Sequence, residues 1–256
     1  MSRPAFVQPR SGTASQVNKA ARRLALLRTQ LLAGIHLDAD NGAQAIIDMG
    51  LVEGWRELHA APLRATSANL RHYVRPRSAK ASANVSVTQR LKKFSTILDK
   101  LNRYPKMQLS RMEDVGGVRA ILPSQEAADE VARRLRKNWT VHRYRDYVRD
   151  PKPSGYRALH LIVVKKGVKI ELQLRTGLQD LWANQVELDS RHLRVDFKSG
   201  KGSEAVHAYY VAMSEFFAMR EASEEPPEKF MADLTSRYRL AKPYLASSRT
   251  RRDDGR

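Results

Sequence analysis

The segment from Leu159 to Arg175 constrains the fold more than any other. Leu159-His160-Leu161-Ile162-Val163-Val164 is an apolar, β-branched run that reads as a strand. Lys165-Lys166-Gly167 reads as a short turn. Val168 to Arg175 alternates, with Val168, Ile170, Leu172 and Leu174 on one face and Lys169, Glu171, Gln173 and Arg175 on the other. A hairpin of this kind displays one carboxylate among cations. The stretch before it, Asp146 to Ala158, contains two prolines, a serine and a glycine, and reads as a loop. It brings Lys152 and an aromatic, Tyr156, beside the hairpin. That layout suits a phosphate-rich ligand and a metal.

The rest of the chain predicts helices around a small sheet. Thr13 and Gln16 form a capping box for a helix over Ala14 to Leu32, with Gly34 as its stop. Asp40 to Met49, Val52 to His59 and Ser67 to Tyr73 read as helical pieces, and Arg75 to Val87 as a linker. Leu91, Phe94, Leu98 and Leu101 fall at helical spacing, so Arg90 to Leu101 reads as a helix. Val118 to Leu122 reads as a strand after a glycine pair, Ser124 to Lys137 as an amphipathic helix, and Trp139 to Tyr144 as a strand. Gly177 to Val186, Ser203 to Glu221 and Phe230 to Leu240 read as helices, with flexible ends before Thr13 and from Ser247. The expected fold class is α+β, with a mixed, partly antiparallel sheet. The expected division is a basic helical region over 1–88, a core over 89–195 and C-terminal helices with a basic tail over 196–256.

Composition narrows the partners. Apolar residues make up 42% of the 256 residues, enough for a real core. Without cysteine there is no disulfide, thiolate metal site or thiol nucleophile. No apolar run nears membrane length, so the chain reads as cytoplasmic, without a membrane partner. A net charge of +19 draws polyanions. Lys19, Arg22, Arg23 and Arg28 precede the first acidic residue, Asp38. Arg133, Arg134, Arg136 and Lys137 close a helix, where part of their role is to complement its dipole. From Arg133 to Lys152 eight Lys/Arg stand against two Asp, interleaved with Trp139, Tyr144 and Tyr147. These cations read either as RNA contacts or as solvated helix faces.

Two spaced motifs carry a resemblance. Asp146-Tyr147-x-x-x-Pro151-Lys152-x-x-Gly155-Tyr156-x-x-x-His160, then Glu171-x-Gln173-x-Arg175-Thr176, resembles the synthetase domain of the RelA/SpoT alarmone synthetases. Asp114-x-x-Gly117-x-Arg119 and the Arg90-x-Lys92 pair followed by Lys100-Leu101 resemble further motifs of that family. The resemblance implies a nucleotidyltransferase-like sheet that moves pyrophosphate from ATP to a ribose 3′-hydroxyl. It implies Asp114 and Glu171 as magnesium ligands, with Glu171 also taking the hydroxyl proton. It implies Arg90, Lys92, Lys100 and Arg119 at ATP. Lys152, Tyr156, His160, Gln173 and Arg175 would frame the acceptor, with Tyr156 stacking its base. Trp182-Ala183 matches the family, but Val186-Glu187-Leu188-Asp189 lacks a histidine common there, which puts one acceptor contact in question. No His-Asp dipeptide occurs, so the family's hydrolase domain is not expected.

Within that family the acceptor is either a guanosine nucleotide, GDP or GTP, or the 3′-terminal adenosine of tRNA, as in the toxic branch of small alarmone synthetases. The cations at Lys19, Arg22, Arg23, Arg28 and Arg133 to Lys137 exceed what a mononucleotide needs and favour tRNA. A toxin of that branch would have an antitoxin protein as partner. The competing class is a non-catalytic RNA-binding or regulatory module on the same fold. The presence of both Asp114 and Glu171 argues against it.

Overall fold

The computed structural model describes residues 12–36, 38–75, 85–193, 195–197 and 202–246. Three helices lead: α1 (Ala14–Leu32), α2 (Ala39–Glu57) and α3 (Ala60–Val74). Then come β1 (Ser86–Leu91), α4 (Phe94–Arg103), a 3-10 turn at Leu109–Arg111, β2 (Gly116–Leu122), α5 (Gln125–Asn138) and β3 (Val141–Asp146). The hairpin is β4 (Leu159–Lys165) and β5 (Val168–Thr176), followed by α6 (Gly177–Leu193), α7 (Glu204–Glu221) and α8 (Glu228–Ala246).

The five strands form one sheet in the order β1-β2-β5-β4-β3. β2 and β5 run parallel and the other neighbours antiparallel, as a mixed sheet requires. The period-2 pattern sorts its faces. Val118, Ala120 and Leu122 of β2, Leu159, Leu161 and Val163 of β4, and Ile170, Leu172 and Leu174 of β5 are buried together. Leu63, Leu70 and Val74 of α3 and Ala128, Val131, Ala132 and Leu135 of α5 cover that face. A second core joins α1 to α4 through Val17, Ala21, Leu24, Ile97 and Leu101. A third joins Tyr156 and Ala158 to Trp182, Val186, Val206 and Tyr210 of α6 and α7. The opposite face of the sheet carries Arg119, His160, Glu171 and Gln173, with Ile121, Ile162 and Val164 among them.

Local signals set several boundaries. Thr13 and Gln16 form the capping box at α1, and Gly34 ends that helix at φ +80°, a conformation glycine adopts freely. Ser124 caps α5 through the Ala127 amide. Other expectations need correction. Arg90 and Lys92 do not lie on a helix: Arg90 is the penultimate residue of the exposed edge strand β1, Lys92 follows the strand, and Lys93 is an extended N-cap before α4. The helical spacing of Phe94, Leu98 and Leu101 is real; only Leu91 belongs to the strand. The two helices expected over Asp40 to His59 are one, α2. The helix expected from Ser203 begins at Glu204, and Ser203 makes no side-chain cap bond. Both α6 and α8 run past their expected ends. The linker expected over Arg75 to Val87 lies largely outside the described residues, and Ser86 and Val87 are already strand. The chain ends expected to be flexible, before Gly12 and from Ser247, also lie outside them.

Candidate active site

Strand register assembles the polar face in two rows. Arg90 pairs with Gly117, Gly117 with Glu171, and Glu171 with Ile162. One step along, Thr88 pairs with Arg119, Arg119 with Gln173, and Gln173 with His160. Gly117 keeps the first row open, since a Cβ there would meet nothing within 4 Å and would project into a cavity. That cavity, about 240 Å³, is lined by Arg90, Asp114, Arg119, Glu171, Gln173 and Asn184, among others. A second, about 450 Å³, is lined by Lys100, Arg111, Asp114, Arg145, Tyr147, Lys152, His160 and Glu171, among others. Asp114 and Glu171 belong to both.

Asp114 sits just ahead of β2, where Lys92 and Lys100 hold its two oxygens at 3.0 and 2.8 Å. Burial pushes its carboxyl up, but the two ammonium charges outweigh this and hold it below the ordinary value. Glu171 is part of a closed hydrogen-bonded ring. Its Oε1 is 3.0 Å from His160 Nδ1, and its Oε2 accepts from Gln173 Nε2 at 2.8 Å. His160 Nε2 meets the Tyr156 hydroxyl at 2.6 Å, and Arg175 donates both to that hydroxyl at 2.7 Å and to Gln173 Oε1 at 3.0 Å. With the His160 proton on Nδ1, each of these five bonds joins a donor to an acceptor, while the buried Arg175 Nε makes none. Burial pushes the Glu171 carboxyl up, the hydrogen bonds from His160 and Gln173 pull it down, and the balance lies below the ordinary value. The charge of Asp114 raises it, which shows that the two carboxylates feel each other.

Every sequence-predicted ATP and acceptor residue lies on or beside this face, but not all in the expected role. Tyr156 is a correction. Its ring is only 6% exposed and packs edge-on against Tyr147, His160 and Trp182. It offers no open face to a base, and burial raises its hydroxyl's pKa despite Arg175. Tyr147 is the aromatic that lines the cavity, with Lys152 Nζ 4.5 Å above its ring. Lys152 is exposed, yet partial desolvation lowers its pKa, which Glu171 only partly offsets. Arg175 is likewise buried, in the ring rather than at a cavity wall. Asp180 escaped the sequence reading. It bridges Arg119 at 3.0 Å and Arg175 at 3.2 Å, and accepts from Asn184 at 2.8 Å. An acid in the first turn of a helix signals only dipole complementarity, so nothing in the sequence singled it out.

The cations expected to reach tRNA are mostly engaged within the chain. Arg22 donates to the carbonyls of Leu101, Pro105 and Met107 and so ties α1 to α4. Arg23 pairs with Asp48, Arg28 with Asp99, and Arg133 with Glu130. Arg134 donates to the Tyr73 carbonyl and stands over the Tyr73 ring, and Arg136 stands over Tyr144. Only Lys19 and Lys137 of that set have no such bond or ring contact among the described residues. Lys19 lines an open groove beside Arg22 and Lys106.

A mixed sheet whose polar face carries two cationic cavities around one carboxylate pair is the expected α+β architecture. Residues 89–194 match the family described as a region found in RelA / SpoT proteins. An uncharacterized protein of Mycobacterium tuberculosis is 36% identical over 128 residues, 48% of this chain and 45% of that one. The GTP pyrophosphokinase YjbM of Bacillus subtilis is 35% identical over 109 residues, 38% of this chain and 52% of its own length. The small alarmone synthetase 2 from Bacillus subtilis superposes with a TM-score of 0.57 at 21% identity, over 67% of this chain and 94% of that one. Small alarmone synthetase 1 from the same organism gives 0.51 at 25% identity, over 74% and 99%. Residues 89–194 are therefore similar to the region found in RelA / SpoT proteins, and the chain shares the fold of the small alarmone synthetases. It spans about half the length of the curated relatives it matches.

Proposed function

We propose that this protein is a pyrophosphokinase that transfers pyrophosphate from ATP to the ribose 3′-hydroxyl of GDP or GTP. The observation that carries the reading is the shared wall: Asp114 and Glu171 line both cavities, so two phosphate-bearing ligands would meet at them. Arg90 is exposed in the first cavity, with Arg119 of the neighbouring strand β2 two residue pairs along, and the two suit the ATP base and phosphates. Lys152, Arg145 and Arg111 line the second and suit the acceptor's phosphates. The acceptor 3′-oxygen would attack the β-phosphorus of ATP, forming a new O–P bond as the bridge to the α-phosphate breaks and AMP leaves. Glu171 would accept the hydroxyl proton, held in place by His160 and Gln173. A lowered carboxyl is a weak base, so positioning and cationic stabilisation of phosphate charge supply the remainder.

The donor set suits magnesium. No group of three or more His, Cys, Asp or Glu that could hold a metal occurs among the described residues. Magnesium needs only one or two protein carboxylates and takes phosphate and water for the rest. Asp114 and Glu171 would hold it, and bound there it would neutralise phosphate charge. GDP or GTP is favoured over tRNA because Arg22, Arg23, Arg28, Arg133, Arg134 and Arg136 are committed to intramolecular contacts. The test is ATP labelled at the β-phosphate, offered GDP, GTP and deacylated tRNA in parallel. Label on the guanosine nucleotides is expected; label on tRNA alone overturns the acceptor assignment, and label on neither overturns the reaction.

A further inference from the structure

We propose that Ser214 of α7, outside the RelA/SpoT region, is a positioning residue for the acceptor, acting through the loop that carries Lys152. This rests on the reading above that Lys152 faces the acceptor. Serine is a poor helix-interior residue unless its hydroxyl has work outside the helix or bonds back to the preceding turn. The Ser214 side chain is buried at 4% exposure, and its hydroxyl leaves the helix. It donates to the Gly155 carbonyl at 2.5 Å and accepts from Arg157 Nε at 3.1 Å. Arg157 passes the tie onward by donating to the Val148 carbonyl at 2.8 Å. Within the loop, Gly155 donates to the Lys152 carbonyl at 2.8 Å, and Lys152 donates to the Tyr156 carbonyl at 3.2 Å. The backbone that presents Lys152 is thus seated on α7.

The seat is close. Gly155 has φ +85°, and a Cβ there would lie 3.1 Å from Val211 Cα and 3.2 Å from the Tyr210 carbonyl oxygen. α7 is itself fixed to the core: Trp182 donates to the Tyr210 carbonyl at 2.8 Å, and Glu221 accepts from Thr176 and Gln179. Burial lowers the Arg157 pKa, while Glu215 and Glu221 of the same helix raise it, so α7 also supplies counter-charge. No α7 side chain is among the residues lining either cavity. The Ser214 hydroxyl bonds only to the loop, so its influence falls on the cavity that Lys152 lines rather than on both.

The experiment is steady-state transfer from β-labelled ATP to GDP, with each substrate varied in turn, for the wild type, Ser214→Ala and Arg157→Met. In each variant the KM for GDP should rise about tenfold while the KM for ATP stays within about twofold. Equal rises in both KM values, or no rise in either, would overturn the role of Ser214. A purely structural contribution would lower the melting temperature without that split. Should Ser214→Ala fail to fold, Arg157→Met cuts the same tie from the loop side and is judged by the same split. A wild type that transfers no label defeats the pyrophosphokinase reading itself; a transferring wild type whose variants show no split defeats only the inference about Ser214.

Discussion

Glu171 carries the sharpest expectation at the level of single residues. Glu171→Gln keeps the size and one acceptor oxygen for His160 but cannot take a proton. Transfer should fall by on the order of 10²–10⁴-fold with the circular dichroism spectrum unchanged; turnover near wild type would remove Glu171 from the chemistry. Asp114→Asn should raise the magnesium concentration for half-maximal rate by at least about tenfold, and an unchanged requirement would move the ion elsewhere. Tyr147 and Tyr156 separate by burial. Tyr147→Ala should weaken GDP with little effect on melting, since its ring lines the cavity. Tyr156→Ala should lower the melting temperature, since it empties a buried site worth roughly 3–5 kcal/mol for a large aromatic. The charged members of this site were legible because their spacing on an alternating strand places them on one face. Burial was not: an aromatic in a glycine loop looks the same in sequence whether it faces a ligand or Trp182. Asp180 was hidden for a related reason, because its partners Arg119 and Arg175 come from two different strands.

Among the elements, α1 gives the clearest test of what its arginines do. Arg22 ties three carbonyls and Arg23 holds the buried Asp48. Arg22→Glu would leave those carbonyls unpaired, at roughly 1–3 kcal/mol for each that is truly buried. Thermal denaturation should show a fall of several degrees, and an unchanged midpoint would free Arg22 for another role. The sequence shows that a helix is basic, but not whether its cations face carbonyl oxygens or solvent, because the partners Leu101 to Met107 belong to another element. The same distance effect explains β1. It is a short, exposed edge strand whose pairing partner β2 lies beyond α4, so the stronger helical period of Phe94, Leu98 and Leu101 absorbed its last residues. Elements with local signals, such as the capping box of α1, the Ser124 cap and the β4–β5 hairpin, were readable in place.

For the whole molecule, acid should be the weak side. The folded protein holds the Asp114 and Glu171 carboxyls below the ordinary values of about 3.9 and 4.3 they regain on unfolding. The unfolded chain therefore binds more protons as pH falls through that range. The stability these groups contribute is present above it and is lost as pH drops through their lower folded values. Melting temperature should fall steeply below about pH 4, and the fall should be shallower in Glu171→Gln, which has lost one of the two groups. A curve of equal steepness in that variant would assign the acid sensitivity to other carboxylates.

The parallel seam between β2 and β5 has a consequence in time. Asp114 and Arg119 come with the first half of the sheet and Glu171 with the second, and only that seam brings them together. The antiparallel β4–β5 pair is a local hairpin and closes on its own, whereas the seam waits for the whole of α5, β3 and the loop to be laid down. A chain emerging from the ribosome, or one refolding from denaturant, can therefore hold most of its helix and its hairpin while its two carboxylates are still strangers. A site that needs both carboxylates is therefore completed late, only once the β2–β5 pairing has formed.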